Sequence, residues 1–431
     1  MASDRYSTAP NVVTGGRAGK GWPLIRVKAV TLTNWAGNTA FRARAVHHPV
    51  SLDELRGLVA AGDRIRALGS GHSFNDVADT TGDLVVLDRM PETIEIDSAA
   101  RRVRVGAGTT YARLAEAVHA AGFALENMAS LPHISVGGSV ATGTHGSGDA
   151  NRCLAAAVSG LELVTADGSV SSLSRGDDGF AGAVVSLGAL GVVTALTLDL
   201  VPAFELRQYV REGLTPDALD GFDDIMANGY SMSLFTDWRD TRVWLKRREE
   251  FTDDSWHGTR PATAPQHPLA GMPAGACTTQ LGVPGPWHER LPHFRADAPP
   301  SGAGDELQSE FLLPRAHAVA ALRELYAVGD RLRPALHVSE VRTIAADDLW
   351  LSPFRDRDSV GVHFTWIRDV AAVLPALDLV ERTLAPFDPR PHWGKLFTRR
   401  PDCPGDFREL VRRMDPAGKF ANDFVRLLLG E

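Results

Sequence analysis

A histidine follows a Gly-Ser-Gly turn in the stretch RALGSGHSFNDVADT, residues 66–80. Glycine is used where the backbone must take a positive φ or let a bulky ligand approach closely. Gly69 and Gly71 therefore predict a turn that presents His72 to a ligand, and a neutral imidazole is a good nucleophile. An ordinary surface turn is the alternative for this stretch.

A second glycine-rich tract lies further along the chain, ASLPHISVGGSVATGTHGSG at residues 129–148. Backbone amides in loops of small residues can solvate the negative oxygens of a pyrophosphate. A flexible linker is the alternative, but linkers seldom contain apolar residues such as Leu131, Ile134, Val136 and Val140. The tract therefore predicts a phosphate-binding loop.

A third pattern, VRVGAGTTYARLAEAV at residues 103–118, places Gly106 and Gly108 ahead of a predicted helix. A dinucleotide fingerprint also needs a third glycine, a parallel strand and an acidic residue on the next strand. The third glycine is missing, and Glu126, near the required distance, does not lie in a strand-like stretch. We therefore disfavour a Rossmann-type NAD site.

Charged side chains with strand-like spacing occur in the second half of the chain. SEVRT, residues 339–343, alternates so that Glu340 and Arg342 leave one face of a strand; a structural ion pair is the alternative. VHFTW repeats the alternation with His363 and Thr365, and RPHWGKLF offers Lys395. Charged groups form the stronger hydrogen bonds, so these residues are candidates for holding a polar ligand.

Local patterns predict the elements that position the first half. Ser51 followed by Glu54 has the capping-box spacing and predicts a helix that ends at Gly62. A strand is then predicted to enter the turn that holds His72, and Asp167-Gly168 predicts a β-hairpin turn. Residues 31–202 are therefore expected to form an α+β domain.

The character of the chain changes beyond residue 202. SMSLFTDW and HAVAALRELYAVGDRL predict a strand and a helix in a second domain at residues 203–388. Between them, prolines in the tract PATAPQHPLAGMPAGACTTQLGVPGPW, residues 261–287, remove backbone donors and predict a long ordered loop. Residues 389–431 are predicted to be turn-rich and to return to the first domain, and residues 1–30 are an extension that we expect to be disordered.

Composition limits the class of partner. The 431 residues include 44% hydrophobic and 23% charged residues, as in a globular protein of two or three domains. The net charge of −8 gives no basic field for nucleic acid. No stretch has the apolar core of a signal peptide or the roughly 18 apolar residues of a membrane span. We therefore expect a cytoplasmic protein, and we expect it to be a monomer. Its three cysteines lie far apart, so we expect neither a disulfide framework nor a bound metal.

The two glycine-rich stretches GSGHSFND and ASLPHISVGGSVATGTHGSG resemble the FAD-binding domain of the vanillyl-alcohol-oxidase superfamily, and within it most closely the alditol oxidases. The similarity continues through TNWAGN, SLFTDWR, WLKRR, GVPGPWHERLPHFRA, RTIAADDLWLSP, HFTW, RPHWGK and DPAGKF. It covers nearly the whole chain except the first thirty or so residues and TRRPDCPGDF. The resemblance implies a two-domain α+β flavoprotein, with a FAD-binding domain and a substrate-binding cap domain built on a mixed or antiparallel sheet.

The resemblance implies that FAD is attached covalently, through a bond from the imidazole of His72 to the 8α carbon of the flavin. It also implies that the two turns, with one strand residue, bind the rest of the cofactor. These cofactor residues are Ala67, Leu68, Gly69, Ser70, Gly71, Ser73, Ser130, Ser135, Gly138, Thr142, Gly143, Thr144, His145 and Val193. His145 is ambiguous, because it could polarise a flavin oxygen or be a packed residue satisfied by backbone.

For the substrate, the resemblance implies oxidation of a terminal primary hydroxyl of an alditol, such as xylitol or sorbitol, with O2 reduced to hydrogen peroxide. The implied binding residues are Ser130, Glu340, Arg342, Thr365 and Lys395. Arg342 and Lys395 are assigned the catalytic vicinity, Glu340 orientation and His363 support, while the group that accepts the hydroxyl proton stays open. The alternatives are a sugar-lactone oxidase, a dehydrogenase using another acceptor, and an NAD-binding or non-enzymatic protein.

Overall fold

The computed structural model describes residues 32–299 and 305–431. The extension predicted for residues 1–30 lies outside the described residues. The first half contains short strands and helices in alternation. The strands are β1 Ala45–His47, β2 Ile65–Leu68, β3 Asp83–Val86, β4 Ile94–Asp97, β5 Arg102–Gly106, β6 Phe123–Ala124, β7 Val158–Val164, β8 Val170–Ser174, β9 Val192–Asp199 and β10 Val201–Pro202. The helices are α1 Leu52–Ala61, α2 Tyr111–Ala120, α3 Val136–Ala141 and α4 Phe180–Val184.

The predicted capping box forms at the start of α1. The Ser51 hydroxyl accepts from the Glu54 N–H at 3.2 Å, and the Glu54 carboxylate accepts from the Val50 N–H at 2.8 Å. The helix ends before Gly62, as predicted. The chain then enters β2, and Gly71 takes a positive φ of 67° in the turn before His72. Local sequence therefore determines how the first glycine turn is reached.

Two larger sheets organise the described first half, beside the two-stranded pairing of β6 with β10. β1, β3 and β2 form a parallel sheet in that order, and β4, β5, β9, β7 and β8 form an antiparallel one. The predicted hairpin joins β7 to β8, with Gly168 at a φ of 81°. β5 pairs antiparallel with both neighbours, so Gly106 and Gly108 do not follow the parallel strand that a dinucleotide fingerprint requires.

The second half supplies longer strands. The strands are β11 Glu205–Glu212, β12 Ser231–Thr236, β13 Thr241–Arg247, β14 Arg260–Pro261, β15 Gly285–Pro286, β16 Glu306–Pro314, β17 Leu336–Ile344, β18 Ser359–Ile367 and β19 Arg390–Pro391. The α-helices are α5 Phe222–Met226, α6 Ala318–Leu332, α7 Val370–Leu384, α8 Gly405–Met414 and α9 Asp423–Leu429. Short 3-10 helices span Leu154–Ala157, Pro216–Gly221, Trp256–Gly258, Ala274–Ala276, Trp287–Glu289, Arg315–His317 and Ala385–Phe387.

The strands of the second half form a nine-stranded antiparallel sheet in the order β14-β11-β13-β12-β17-β18-β16-β19, with β15 paired to β11. Alternate residues such as Leu234, Val341 and Val362 leave one face and pack against α6 and α7 in an apolar core. The other face carries polar and charged side chains toward residues 145–151, and the Gly148 N–H donates to the Thr343 carbonyl at 2.8 Å. This polar face positions the candidate site.

The C-terminal segment contacts the first half of the chain, and it contains two helices rather than turns alone. Phe407 and Leu410 of α8 and Val425 of α9 belong to the same apolar core as residues of α2 and β7. The Asn422 amide donates to the carbonyls of residues 76, 77 and 79. The domain boundaries at residues 202 and 388 stay predictions. Within residues 32–299 and 305–431, no helix combines the length and the apolar character needed to cross a bilayer.

Candidate active site

The two glycine-rich turns meet in the folded chain. The Ser135 N–H donates to the Ser70 hydroxyl at 2.8 Å. A Cβ built on Gly69 would lie 2.5 Å from the Ser135 hydroxyl oxygen, and one on Gly138 would lie 2.9 Å from the same atom. A side chain at either glycine would displace the Ser135 hydroxyl from its position between the turns, which explains why glycine suits both positions.

The paired turns fit a group that carries phosphate oxygens. The Ser135 hydroxyl is buried and has no hydrogen-bond partner among the described residues, so it can donate to an acceptor between the turns. The other predicted cofactor residues lie on β2 and the turn after it, on or after α3, and on β9. These residues are Ala67, Leu68, Gly71, Ser73, Thr142, Gly143, Thr144 and Val193. The residues present therefore fit the pyrophosphate of FAD, while their individual contacts with it stay predictions.

His72 is half-buried beside an aromatic ring that the sequence analysis did not assign. The Trp35 ring stacks on the imidazole with centroids 5.0 Å apart and an interplanar angle of 21°. The backbone N–H of Trp35 also donates to the Gly71 carbonyl at 2.7 Å. Burial, reinforced by nearby His133, lowers the pKa of His72 to about 4. The imidazole is therefore neutral at pH 7 and keeps the lone pair that a bond to carbon requires.

Five predicted residues converge on one carboxylate that the sequence analysis missed. Glu310 of β16 is fully buried and lies opposite His363 in the strand register. Its two oxygens accept from Arg342 Nη2 at 2.5 Å and Lys395 Nζ at 2.6 Å. The residues gathered around it are Glu340, Arg342, His363, Thr365 and Lys395. The stretch ELQSEFLLP alternates Glu306, Gln308 and Glu310 along one strand face, a signal that could have identified Glu310.

Opposite charges set the protonation of the cluster. Burial alone would raise the pKa of Glu310, but Arg342 and Lys395 outweigh it and hold that pKa well below its usual value. The pKa of Glu340 is likewise lowered, because Arg342 and His293 overcome the effect of burial. The pKa of Arg342 is raised because the two carboxylates overcome desolvation. Two buried anions therefore face two buried cations.

Lys395 links Glu310 to an imidazole. Its Nζ donates to His363 Nδ1 at 2.7 Å, which leaves the proton on Nε2 of that ring. His363 Nε2–H donates to the Thr365 hydroxyl at 3.0 Å. Burial, together with the positive charge of Lys395, lowers the pKa of His363 to about 4. Burial also lowers the pKa of Lys395, although Glu310 acts in the opposite direction. Lys395 and His363 thus form a chain along which a proton can move.

His145 contacts this cluster from the first half of the chain. Its Nε2 lies 3.2 Å from Glu310 Oε1, and its Nδ1–H donates to the Gly146 carbonyl at 2.9 Å. His145, Glu310 and His392 have ligand atoms within 4.8 Å of one another, a spacing that a metal ion could use. Both oxygens of Glu310 already accept from cations, however, so a further positive charge is disfavoured there. The predicted role of His145 toward the cofactor stays a prediction.

Ser130 is joined to Glu340 through His293, another residue that the sequence analysis missed. The Ser130 carbonyl accepts from the His293 N–H at 3.1 Å and the Phe294 N–H at 3.3 Å. His293 Nε2 lies 2.8 Å from Glu340 Oε1. The His72 turn also reaches this region, because the Asn75 amide donates to the Lys395 carbonyl at 2.8 Å. The structure therefore joins Ser130 of the first half to Glu340 of the second, and it places the Lys395 backbone beside the segment that follows His72.

Comparisons with known proteins agree with this geometry. A family model described as a FAD binding domain matches residues 43–174, and one described as D-arabinono-1,4-lactone oxidase matches residues 306–428. An alditol oxidase from a Streptomyces species is 55% identical over 417 residues, covering 93% of this chain and 99% of that protein. An L-gulono-1,4-lactone dehydrogenase from Mycobacterium tuberculosis is 30% identical, covering 92% of this chain and 99% of that protein.

Solved structures with low sequence identity share the fold. A cholesterol oxidase from B. sterolicum has a TM-score of 0.73 at 15% identity, covering 93% of this chain and 96% of that chain. A solvent-stable cholesterol oxidase has a TM-score of 0.75 at 14% identity, covering 93% and 97%. At such identities the likeness concerns the fold alone. With the FAD-binding match and the antiparallel sheet, it confirms the predicted two-domain α+β flavoprotein class.

Proposed function

The chain belongs to the alditol oxidase family of FAD-dependent oxidoreductases, and we propose that it oxidises a terminal primary hydroxyl of alditols such as xylitol and sorbitol, reducing O2 to hydrogen peroxide. The observation that carries this proposal is the charged set of buried Glu340, buried Arg342 and nearly buried Lys395, whose backbone carbonyl accepts from Asn75 in the segment after His72. We also propose that the cofactor is attached through His72. A cytoplasmic location and a monomeric state stay predictions.

The polar face of the sheet suits a substrate with several adjacent hydroxyls. A buried hydroxyl without a hydrogen-bond partner costs on the order of 1 to 3 kcal/mol, so a polyol site needs many positioned donors and acceptors. Glu340 supplies acceptors, Arg342 and Lys395 supply donors, and the Thr365 hydroxyl can do either. Arg342 Nε is buried and has no hydrogen-bond partner within residues 32–299 and 305–431, which leaves one donor available for a substrate oxygen. These side chains bind and orient the polyol in the proposed complex.

Bound FAD would supply the acceptor for the hydride from the carbinol carbon and would then transfer two electrons to O2. The protein must remove the hydroxyl proton. In its neutral form, which burial favours by lowering the Lys395 pKa, Lys395 can take that proton at Nζ, because its two N–H donors suffice for Glu310 and His363. Arg342 stays positive and stabilises negative charge on the substrate oxygen. In this proposal Lys395 carries the added proton as an ammonium that faces Glu310, and His363 stays neutral.

Arg342→Lys is expected to slow flavin reduction by xylitol at least tenfold, equivalent to about 1.4 kcal/mol of transition-state stabilisation. A guanidinium can hold two oxygens in one plane, and Arg342 donates to Glu310 through Nη2 while its Nε is available for a substrate oxygen, whereas an ammonium acts as a point charge. Stopped-flow absorbance of the bound flavin measures the rate. Arg382→Lys, on the exposed side of α7, is the control. A near wild-type rate for Arg342→Lys would reduce Arg342 to a general positive charge.

Oxygen uptake separates the proposed activity from its alternatives. We expect uptake with xylitol or sorbitol to exceed uptake with L-gulono-1,4-lactone at least tenfold at equal concentration, with peroxide formed. The physical reason is that an open-chain polyol offers more hydroxyls to the charged face than a lactone ring does. Faster uptake with the lactone would indicate a lactone oxidase instead. Rapid dye reduction with negligible peroxide would indicate a dehydrogenase.

A further inference from the structure

A buried lysine contacts His293, and its side-chain nitrogen has three hydrogen-bond acceptors. Lys246 of β13 is 1% exposed. Its Nζ contacts the Leu291 carbonyl at 2.6 Å, the Pro292 carbonyl at 3.1 Å and His293 Nδ1 at 3.1 Å. An ammonium has three N–H donors, so each acceptor receives one. Burial lowers the pKa of Lys246 to about 7, while Glu340 acts to raise it. The geometry therefore suits the ammonium.

The contact with Lys246 determines which nitrogen of His293 carries a proton. Because Nδ1 accepts from Lys246, a neutral ring must carry its proton on Nε2. Burial, with the charge of Lys246, lowers the pKa of His293 to about 4, which keeps the ring neutral. Its Nε2–H points at Glu340 Oε1 at a distance of 2.8 Å. One oxygen of Glu340 is thus tied. The other, Oε2, lies 3.7 Å from Arg342 Nε, beyond hydrogen-bond distance, and is the oxygen left for a substrate hydroxyl.

The same segment, residues 291–294, also holds Ser130 and is itself braced by the Pro/Gly-rich tract. The backbone N–H groups of His293 and Phe294 donate to the Ser130 carbonyl. The Thr278 N–H donates to the His293 carbonyl at 2.9 Å, and its hydroxyl donates to the Pro292 carbonyl at 2.8 Å. His293 and its neighbour Phe294 therefore hold two candidate substrate-binding residues, Ser130 from the first half of the chain and Glu340 from the second.

We propose that His293 is a positioning residue which, oriented by Lys246, fixes Glu340 and Ser130 for polyol binding. This inference rests on the proposed function. A buried carboxylate without a fixed hydrogen bond can adopt several rotamers. Binding of a polyol must then select one of them, which lowers the affinity. The imidazole removes that freedom before binding, so its contribution is to substrate affinity rather than to the reaction at the carbinol carbon.

Stopped-flow reduction by xylitol tests the proposal in His293→Leu and His293→Gln. In His293→Leu we expect the apparent Kd for xylitol to rise at least tenfold, while the limiting reduction rate falls less than threefold. His293→Gln should recover most of the affinity, because its amide N–H can donate to Glu340. His337→Leu, at an exposed position of β17, is the control. An unchanged Kd in His293→Leu, or no recovery in His293→Gln, would overturn the proposal.

A readout without turnover separates this inference from the proposed activity. In holoenzyme labelled with 15N-histidine, the His293 ring should show a proton on Nε2 and none on Nδ1 at pH 7, with the signal assigned by its loss in His293→Gln. Lys246→Met should alter that signal, because the donor to Nδ1 is gone. A proton on Nδ1 in wild type would contradict the proposal. If wild type is not reduced by any alditol, the proposed function fails, and the imidazole signal still decides whether Lys246 orients His293 toward Glu340.

Discussion

Glu310→Gln is expected to lower the free energy of unfolding by about 3–5 kcal/mol, because it leaves two buried cations without their shared anion. Arg342 and Lys395 each donate to one oxygen of Glu310, and all three side chains are buried or nearly so. We also expect flavin reduction by xylitol to slow at least a hundredfold, about 2.7 kcal/mol, since both cations would move. Urea unfolding at pH 6 and stopped-flow reduction measure the two effects.

Glu306→Gln is a matched control on the same strand face. Glu306 is buried but accepts from Gln308 rather than from a cation, and burial raises its pKa to about 7. Glutamine mimics the protonated form, so the variant should be at least as stable as wild type at pH 6. A raised folded-state pKa means that wild type loses stability as the pH rises from about 4.3 through 7. Glu306→Gln should escape this loss. Equal destabilisation of the two variants at pH 6 would contradict the role assigned to Glu310.

His72→Ala is expected to abolish covalent flavin attachment completely while the protein stays folded. Among the described residues, His133 is the side chain that adds to the effect of burial on the His72 pKa, so His133→Ala is the matched control and should keep the bond. The half-buried ring stacks on Trp35, and we expect its removal to cost little folding free energy, so the fold should persist. Flavin fluorescence on the denatured polypeptide band measures attachment. Equal fluorescence in His72→Ala and wild type would move the attachment to another residue.

Much of the local structure could be predicted because its causes are local. The capping box of α1 and the hairpin at Asp167-Gly168 involve residues within a few positions of one another. The shared face of Glu340 and Arg342 follows from the alternation of a single strand. The assignment of Ser130, Thr365 and Lys395 to one site came from resemblance to a family, and the structure brings Thr365 and Lys395 together around His363.

Only the tertiary structure identified Glu310, His293 and Lys246. Their partners lie far away in sequence, since Lys395 is 85 residues from Glu310 and His293 is 47 residues from Glu340. A strand pattern shows that side chains alternate, but it does not show which strand lies beside which, or which face is covered. The register of β16, β17 and β18 places Glu310 and Glu340 on either side of His363. Packing of α6 and α7 on the apolar face then leaves the charged face toward the first half of the chain. Burial there shifts the pKa values of the charged side chains and makes each of them depend on its ion-pair partners.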